Sequence, residues 1–149
     1  MPISRLPVND TLTGVDARFL AALRASGFEG DIDDSQALRT VLATDNSIYR
    51  RYPKAALFPR NAQDVRRIAA LLGQAAFREV VVAPRGGGTG TNGQSLTEGI
   101  VVDLSRHMNR ILEIDPRART VRVEAGVVKD QLNAALEPHG LFFAPELST

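Results

Sequence analysis

The stretch Pro84-Arg85-Gly86-Gly87-Gly88-Thr89-Gly90-Thr91-Asn92-Gly93 is where the sequence concentrates its chemical potential. Five glycines fall within the eight residues from Gly86 to Gly93, out of 12 in the whole chain. Glycine has no Cβ and tolerates positive φ. A run of such residues lets successive backbone N–H groups point into one concavity, which makes a nest for an anion. Thr89, Thr91, Asn92 and Ser95 add short hydrogen-bonding groups, and Arg85 adds a cation. A diphosphate suits such a donor set. The bland alternative is a surface turn, but tight turns need one or two glycines rather than five. Arg85 reads equally as a partner for phosphate charge or as a brace for the loop, because guanidinium serves both.

Two nucleotide-loop patterns can be tested against these residues. G-x-x-x-x-G-K-[ST] fails, because neither Gly86–Thr91 nor Gly88–Gly93 is followed by a lysine. G-x-G-x-x-G matches by letter at Gly88-Thr89-Gly90-Thr91-Asn92-Gly93, yet that motif needs a helix opening on the loop. Only Gln94-Ser95-Leu96-Thr97-Glu98-Gly99 separates the loop from the next apolar strand. A crossover helix needs about a dozen residues, so a standard dinucleotide-binding unit is excluded. Phosphate would rest on loop amides without a helix dipole. Gly86 to Gly90 are the first candidates for that contact, with Gly93, Gln94 and Ser95 next, toward a ribose or ring edge.

The elements around the loop follow from periodicity. Val80 to Ala83 reads as a β-branched strand closed by Pro84, and Ile100 to Leu104 as another. Ala55 to Phe58 reads as a brief buried strand. Asn61 suits a helix N-cap, and Val65, Ile68, Ala69 and Leu72 follow at helical spacing to about Gln74 or Ala76. Asp64 falls in that helix's first turn, where its charge favours the dipole. The strand–helix–strand order predicts parallel pairing with a right-handed crossover. Upstream, Val15, Phe19, Leu20 and Leu23 predict a helix stopped by Gly27, Asp31 to Asp34 a turn, and Ala37 to Leu42 a short helix. Residues 1–12 read as a mobile lead-in, and Thr44 to Tyr52 as turn-like. Downstream, Arg110 to Ile114 and Thr120 to Glu124 flank a turn at Asp115–Arg119 and predict a hairpin, with Glu113 facing Arg122. Val128 to Leu136 reads as an amphipathic helix stopped by Pro138 and Gly140, and Leu141 to Phe143 as a last strand. Gly126 suits either close approach to a cofactor or a simple strand-end turn. The fold class is α+β: a small parallel βαβ unit followed by a partly antiparallel sheet with helices.

Composition narrows the function classes. Eighteen basic against 17 acidic residues leave a formal charge of +1, which argues against a broad nucleic-acid or polybasic membrane surface. No cysteine is present, so disulfides, thiolate zinc sites and iron–sulfur ligation within the chain are excluded. His107 and His139 are the only histidines. The first reads as a turn residue after a strand, and the second as a helix-end residue favoured by the dipole when charged. Asp45 and Tyr49 read as structural anchors near the adenine side of a bound nucleotide. No apolar run approaches the roughly 18 residues of a membrane span, and no secretory signal is visible at the start, which leaves a cytoplasmic location as the expectation.

Pro84-Arg85-Gly86-Gly87-Gly88-Thr89-Gly90 resembles the pyrophosphate loop of the FAD-binding domain of the vanillyl-alcohol-oxidase/p-cresol-methylhydroxylase (PCMH) superfamily. Pro59 to Val65 resembles the step that precedes it there. Gly99-Ile100-Val101-Val102-Asp103-Leu104-Ser105 with Met108-Asn109-Arg110-Ile111 resembles the segment that follows, and Val123-Glu124-Ala125-Gly126-Val127 the strand beside the cofactor. Gly140 to Pro145 resembles the segment before a second FAD contact, formed by Pro145, Glu146, Leu147, Ser148 and Thr149. The likeness covers about residues 44–149, after a helical lead-in over residues 1–43.

Thr44-Asp45-Asn46-Ser47-Ile48-Tyr49 and Phe143-Ala144-Pro145-Glu146-Leu147-Ser148-Thr149 are most similar to D-2-hydroxyglutarate and D-lactate dehydrogenases, nearest to long bacterial members with a C-terminal iron–sulfur region. The resemblance implies FAD, hydride transfer from a 2-hydroxy acid to flavin N5, an electron acceptor, and a 4Fe-4S centre outside this stretch. It also allows a homo-oligomer and peripheral attachment to the inner membrane. Thr89 stands where many members carry a flavin-linking histidine, so the resemblance here implies non-covalent FAD. The chain reads as an amino-terminal part, inactive alone, of a larger enzyme; the alternative is a free-standing nucleotide- or phosphate-binding module.

Overall fold

The structure is a computed structural model that describes residues 12–145; the expectations for the lead-in before Leu12 and for Glu146–Thr149 lie outside those residues. Its centre is a four-stranded sheet in the order β1-β2-β4-β3, built from β1 (Asp31–Asp33), β2 (Ala55–Phe58), β3 (Val82–Arg85) and β4 (Ile100–Asp103). β4 pairs in parallel with both β2 and β3, and β1 adds an antiparallel edge with Asp31 opposite Phe58. A separate antiparallel hairpin, β5 (Ile111–Asp115) and β6 (Thr120–Val123), follows.

Alternation along the two central strands builds two cores. Every residue of β2 and β4 is buried, as expected for parallel strands covered on both faces. Ala55, Leu57, Ile100 and Val102 face one side. There they meet Phe19, Leu20 and Leu23 of α1 (Gly14–Ala25) and Ile68 of α3 (Ala62–Leu72). Ala56, Phe58 and Val101 face the other side, against Leu42 and, from α2 (Gln36–Val41), Leu38. Phe19 also meets Phe77 edge to face at 5.6 Å between ring centroids. α1 thus contributes to the same core as the strands that carry the glycine loop.

Local signals explain the helix limits. The Asn61 side chain caps α3 by accepting from the Asp64 N–H at 3.0 Å. α3 ends at Leu72 rather than at Gln74 or Ala76, and a single 3-10 turn, Ala75–Phe77, carries the chain into β3. α4 (Lys129–Leu136) runs into a 3-10 turn at Glu137–His139 and stops at Gly140, whose φ of +65° suits glycine.

Four expectations are corrected. Asp31–Asp33 is a strand and not a turn, because its backbone completes the open edge of β2. Pro84 lies inside β3, opposite Val102, and does not close it; β3 is an edge strand, where a missing N–H is tolerated. The strands flanking α3 are not neighbours, since β4 lies between them and pairs with both. Leu141–Phe143 forms no strand. The Phe143 N–H is held instead by the Asn133 side chain at 2.7 Å.

Candidate functional site

β3 delivers the glycine loop at the carboxyl end of a parallel strand, where open α/β sheets bind ligands. No backbone N–H from Gly86 to Thr91 donates to a described acceptor. The next one, of Asn92, is taken by the Gln94 side-chain oxygen at 3.1 Å. Gly88 and Gly93 hold φ of +67° and +74°, the left-handed region that glycine occupies without strain. At Gly86 a Cβ would meet nothing within 4 Å, and at Gly87 only the Thr89 methyl at 3.5 Å. These two positions face open space. A Cβ at Gly88 would collide with the Arg85 guanidinium, and one at Gly90 would stand 2.6 Å from the Gln94 carboxamide carbon. The loop's own side chains therefore cover two of its glycines and leave two uncovered.

Arg85 sits at the hinge between strand and loop. Its Nη2 donates to the Thr44 carbonyl at 3.0 Å, and its Nη1 is buried with no hydrogen-bond partner. Buried donors are rarely left unpaired in native proteins. A cation with one committed nitrogen and one desolvated, unpaired nitrogen beside a row of free amides fits an anionic guest. Its observed role is a brace on the Thr44 carbonyl.

The chain before β2 closes on the same loop. Arg51 N–H bonds the Ala43 carbonyl at 3.0 Å and so pinches off residues 43–51. Within them the Asp45 carboxylate takes the Ser47 N–H at 2.8 Å and the Ser95 hydroxyl at 3.3 Å. The Ser47 hydroxyl foremost, then the Ser47 amide, Ser95 and the Arg85 charge, hold the Asp45 carboxyl below its ordinary value against the opposing effect of burial. The Tyr49 ring lies where a Cβ at Gly93 would approach it to 3.0 Å.

The remaining candidates lie elsewhere. Gly126 is buried, donates to the Met108 carbonyl at 2.8 Å, and has no room for a Cβ because the Leu104 and Met108 carbonyls fill that space. Its need for glycine is met by the protein's own backbone. Beside it Glu124, 8% exposed, receives Arg110 through the backbone N–H, Nε and Nη2 at 2.9, 3.1 and 2.8 Å. The Arg110 side chain, ahead of its amide and charge, keeps the Glu124 carboxyl below its ordinary value, with burial opposing. Pro145 is exposed at the end of the described residues. Neither Gly126 nor Pro145 shares a hydrogen bond with the described glycine loop.

His107 is structural. Its Nε2 lies 2.7 Å from Asp31 Oδ2, where Arg60 and Arg106 also converge at 3.5 and 3.7 Å. The contact ties the segment after β4 to β1. Sequence reading missed this role of Asp31, and it missed Asp64, which is fully buried and accepts from the backbone N–H of Glu29 and Arg60 and from Arg67. Each role includes a distant partner, His107 for Asp31 and the Glu29 N–H for Asp64, for which local pattern gives no signal. Among the described residues no group of three or more His, Asp or Glu could hold a metal ion, and no helix is long and apolar enough to cross a membrane.

The edge strand of a mixed α+β sheet thus carries a glycine-rich loop with open faces at Gly86 and Gly87 and a half-satisfied arginine beside it. Residues 53–149 match the family model of the FAD binding domain, and the chain belongs to that family. It is 71% identical over 131 residues to D-2-hydroxyglutarate dehydrogenase of Pseudomonas putida and 58% identical over 131 residues to that of Escherichia coli. Each alignment covers 88% of this chain and 13% of the relative, so the chain spans about an eighth of the length of the curated relatives it matches. Among solved structures it shares its fold with alkyldihydroxyacetonephosphate synthase, at a TM-score of 0.74 and 21% identity, over 94% of this chain and 30% of that one. The expected PCMH-type architecture and FAD as the cofactor of the domain are thereby established.

Proposed function

We propose that residues 84–95 bind the diphosphate of non-covalent FAD, and that the chain is the nucleotide-binding part of a dehydrogenase that oxidises a D-2-hydroxy acid of the D-2-hydroxyglutarate type. One observation carries the reading: the run of unpartnered N–H groups from Gly86 to Thr91 beside the unpaired Arg85 Nη1, in a chain 71% identical to a D-2-hydroxyglutarate dehydrogenase. Gly86 and Gly87 offer their open faces to the phosphate oxygens, and Arg85 Nη1 offsets their charge. Gln94 exchanges its bond to Asn92 N–H for the guest, because its carboxamide oxygen occupies the position an anion oxygen would take. Gly126 and Pro145 to Thr149 complete the cofactor's surroundings in the assembled protein.

When bound, the flavin supplies a two-electron acceptor for the hydroxy-acid carbon. The chain's own residues hold it in place, and His107 is committed to Asp31 rather than to the reaction. Thr89 offers no nitrogen nucleophile for a flavin linkage, which supports non-covalent attachment. Substrate contacts, an iron–sulfur centre and any self-association belong to parts of the protein beyond these residues, and its place is the cytoplasm.

The test is direct. The intact protein, purified and denatured, releases its flavin into the soluble fraction as FAD and, before denaturation, reduces a dye acceptor with D-2-hydroxyglutarate. Flavin retained on the denatured chain overturns the non-covalent assignment; loss of dye reduction with D-2-hydroxyglutarate but not with D-lactate overturns the substrate.

A further inference from the structure

The loop that residues 43–51 form is stitched to the glycine loop by three contacts between residues 41 to 50 positions apart in sequence. Arg85 Nη2 holds the Thr44 carbonyl, Ser95 Oγ holds Asp45 Oδ2, and Tyr49 packs on Gly93. The first stitch fixes one guanidinium nitrogen and leaves the other, Nη1, buried without a hydrogen-bond partner. The second fixes the far end of the loop through a carboxylate already oriented by the Ser47 N–H. The third sets an aromatic face, 56% exposed, against a residue in the left-handed conformation. The fold does not require this arrangement. None of Thr44, Asp45 and Tyr49 belongs to either core cluster, and Ile48 between them is 96% exposed.

On the nucleotide-site reading, we infer that residues 44–49 are the second wall of the nucleotide cleft, with Asp45 as a positioning residue that acts through Ser95 and Arg85. Asp45 draws Ser95 inward, its charge faces the guanidinium, and the Thr44 carbonyl next to it takes Nη2, so that Nη1 is aimed before any diphosphate arrives. Preorganised charge costs no reorganisation on binding. The diphosphate is the recognised group, so ADP reports the effect as well as FAD.

The experiment uses the intact protein stripped of flavin and titrated calorimetrically with FAD and with ADP. Asp45→Asn weakens both ligands by about tenfold, the scale of one charge-assisted hydrogen bond. Its apo-protein melting temperature stays within about 2 °C of wild type, as expected for a half-exposed site. Ser95→Ala weakens both in the same direction. Asp45→Asn adds less than its full single-variant loss in the background of Arg85→Ala, since the two act through one contact. Unchanged affinity for both ligands in Asp45→Asn and Ser95→Ala overturns the inference. So does full additivity with Arg85→Ala. A wild-type protein that binds neither FAD nor ADP removes the nucleotide reading, and this inference with it.

Discussion

At the glycine loop the individual residues divide into those that the protein needs for itself and those it leaves free. Gly90 is covered by the Gln94 carboxamide, and Gly88 carries a positive φ under a guanidinium. Gly87 has neither constraint. A methyl group there has room in the free protein and none beside a diphosphate. Gly87→Ala therefore keeps the apo-protein melting temperature and weakens FAD at least about tenfold. Gly88→Ala lowers both, because a left-handed alanine costs about 1–2 kcal/mol and the arginine must also move. Flavin absorbance of the purified proteins together with their melting curves separates the two cases. Full flavin content in Gly87→Ala would remove the loop from the site. This loop was readable in the sequence as a cluster of glycines with short polar residues. What was not readable is which carbonyl Arg85 braces, because Thr44 is brought to it only by the folded chain. The same holds for Asp64: its place in the first helical turn was visible, but not its burial under the N–H groups of Glu29 and Arg60.

Among the elements, those with strong local signals were predicted nearly to the residue. β2 is bounded by Pro59 and matches its apolar run, and the hairpin with Glu113 opposite Arg122 follows its turn residues, the pair meeting at 3.0 Å. Elements whose pairing comes from elsewhere were misread. Asp31–Asp33 has no strand-like composition and is a strand only because β2 lacks a partner on that side. Pro84 reads as a strand end and is accommodated because β4 takes the inner position and leaves β3 at the edge. The hairpin is tied back to the segment after β4 by Arg110 and Glu124, and this tie has a pH signature. The carboxyl of Glu124 is held below its ordinary value in the folded protein. Its contribution to stability is thus complete above the ordinary carboxylate range and is lost as pH falls through the lowered value. Glu124→Gln flattens the acid limb of a urea-midpoint-against-pH curve and leaves the neutral limb lower throughout. A variant with an acid limb as steep as wild type would show that Arg110 does not hold that carboxylate.

For the molecule as a whole, one face of the described structure is incompletely covered. Phe142 is 75% exposed, and a cavity of about 470 Å³ lies between the hairpin and the segment after α4, lined by Thr120, Leu136 and Phe143 among others. On the proposed reading the glycine loop supplies diphosphate contacts, but little among the described residues would enclose a flavin ring. Residues 1–149 on their own are therefore expected to bind FAD weakly, well above micromolar, and calorimetric titration of the isolated chain checks this. Sub-micromolar affinity would mean that the diphosphate contacts suffice. The family and its mixed-sheet architecture were legible from several motifs in order along the chain. The order of strands was not, because a sequence records succession and not adjacency.

That order sets when the sheet can assemble. The central strand, β4, leaves the ribosome after both strands it separates, so β2 and β3 wait with bare inner edges for about forty residues of synthesis at the early end and about fifteen at the late end. Until Ile100–Asp103 arrives β3 has no ladder to join, and β2 has only β1 on its other edge. Nascent chains stalled before residue 100 should present those edges to chaperones and to one another, whereas chains stalled well past residue 103, clear of the exit tunnel, should resist protease as a closed unit.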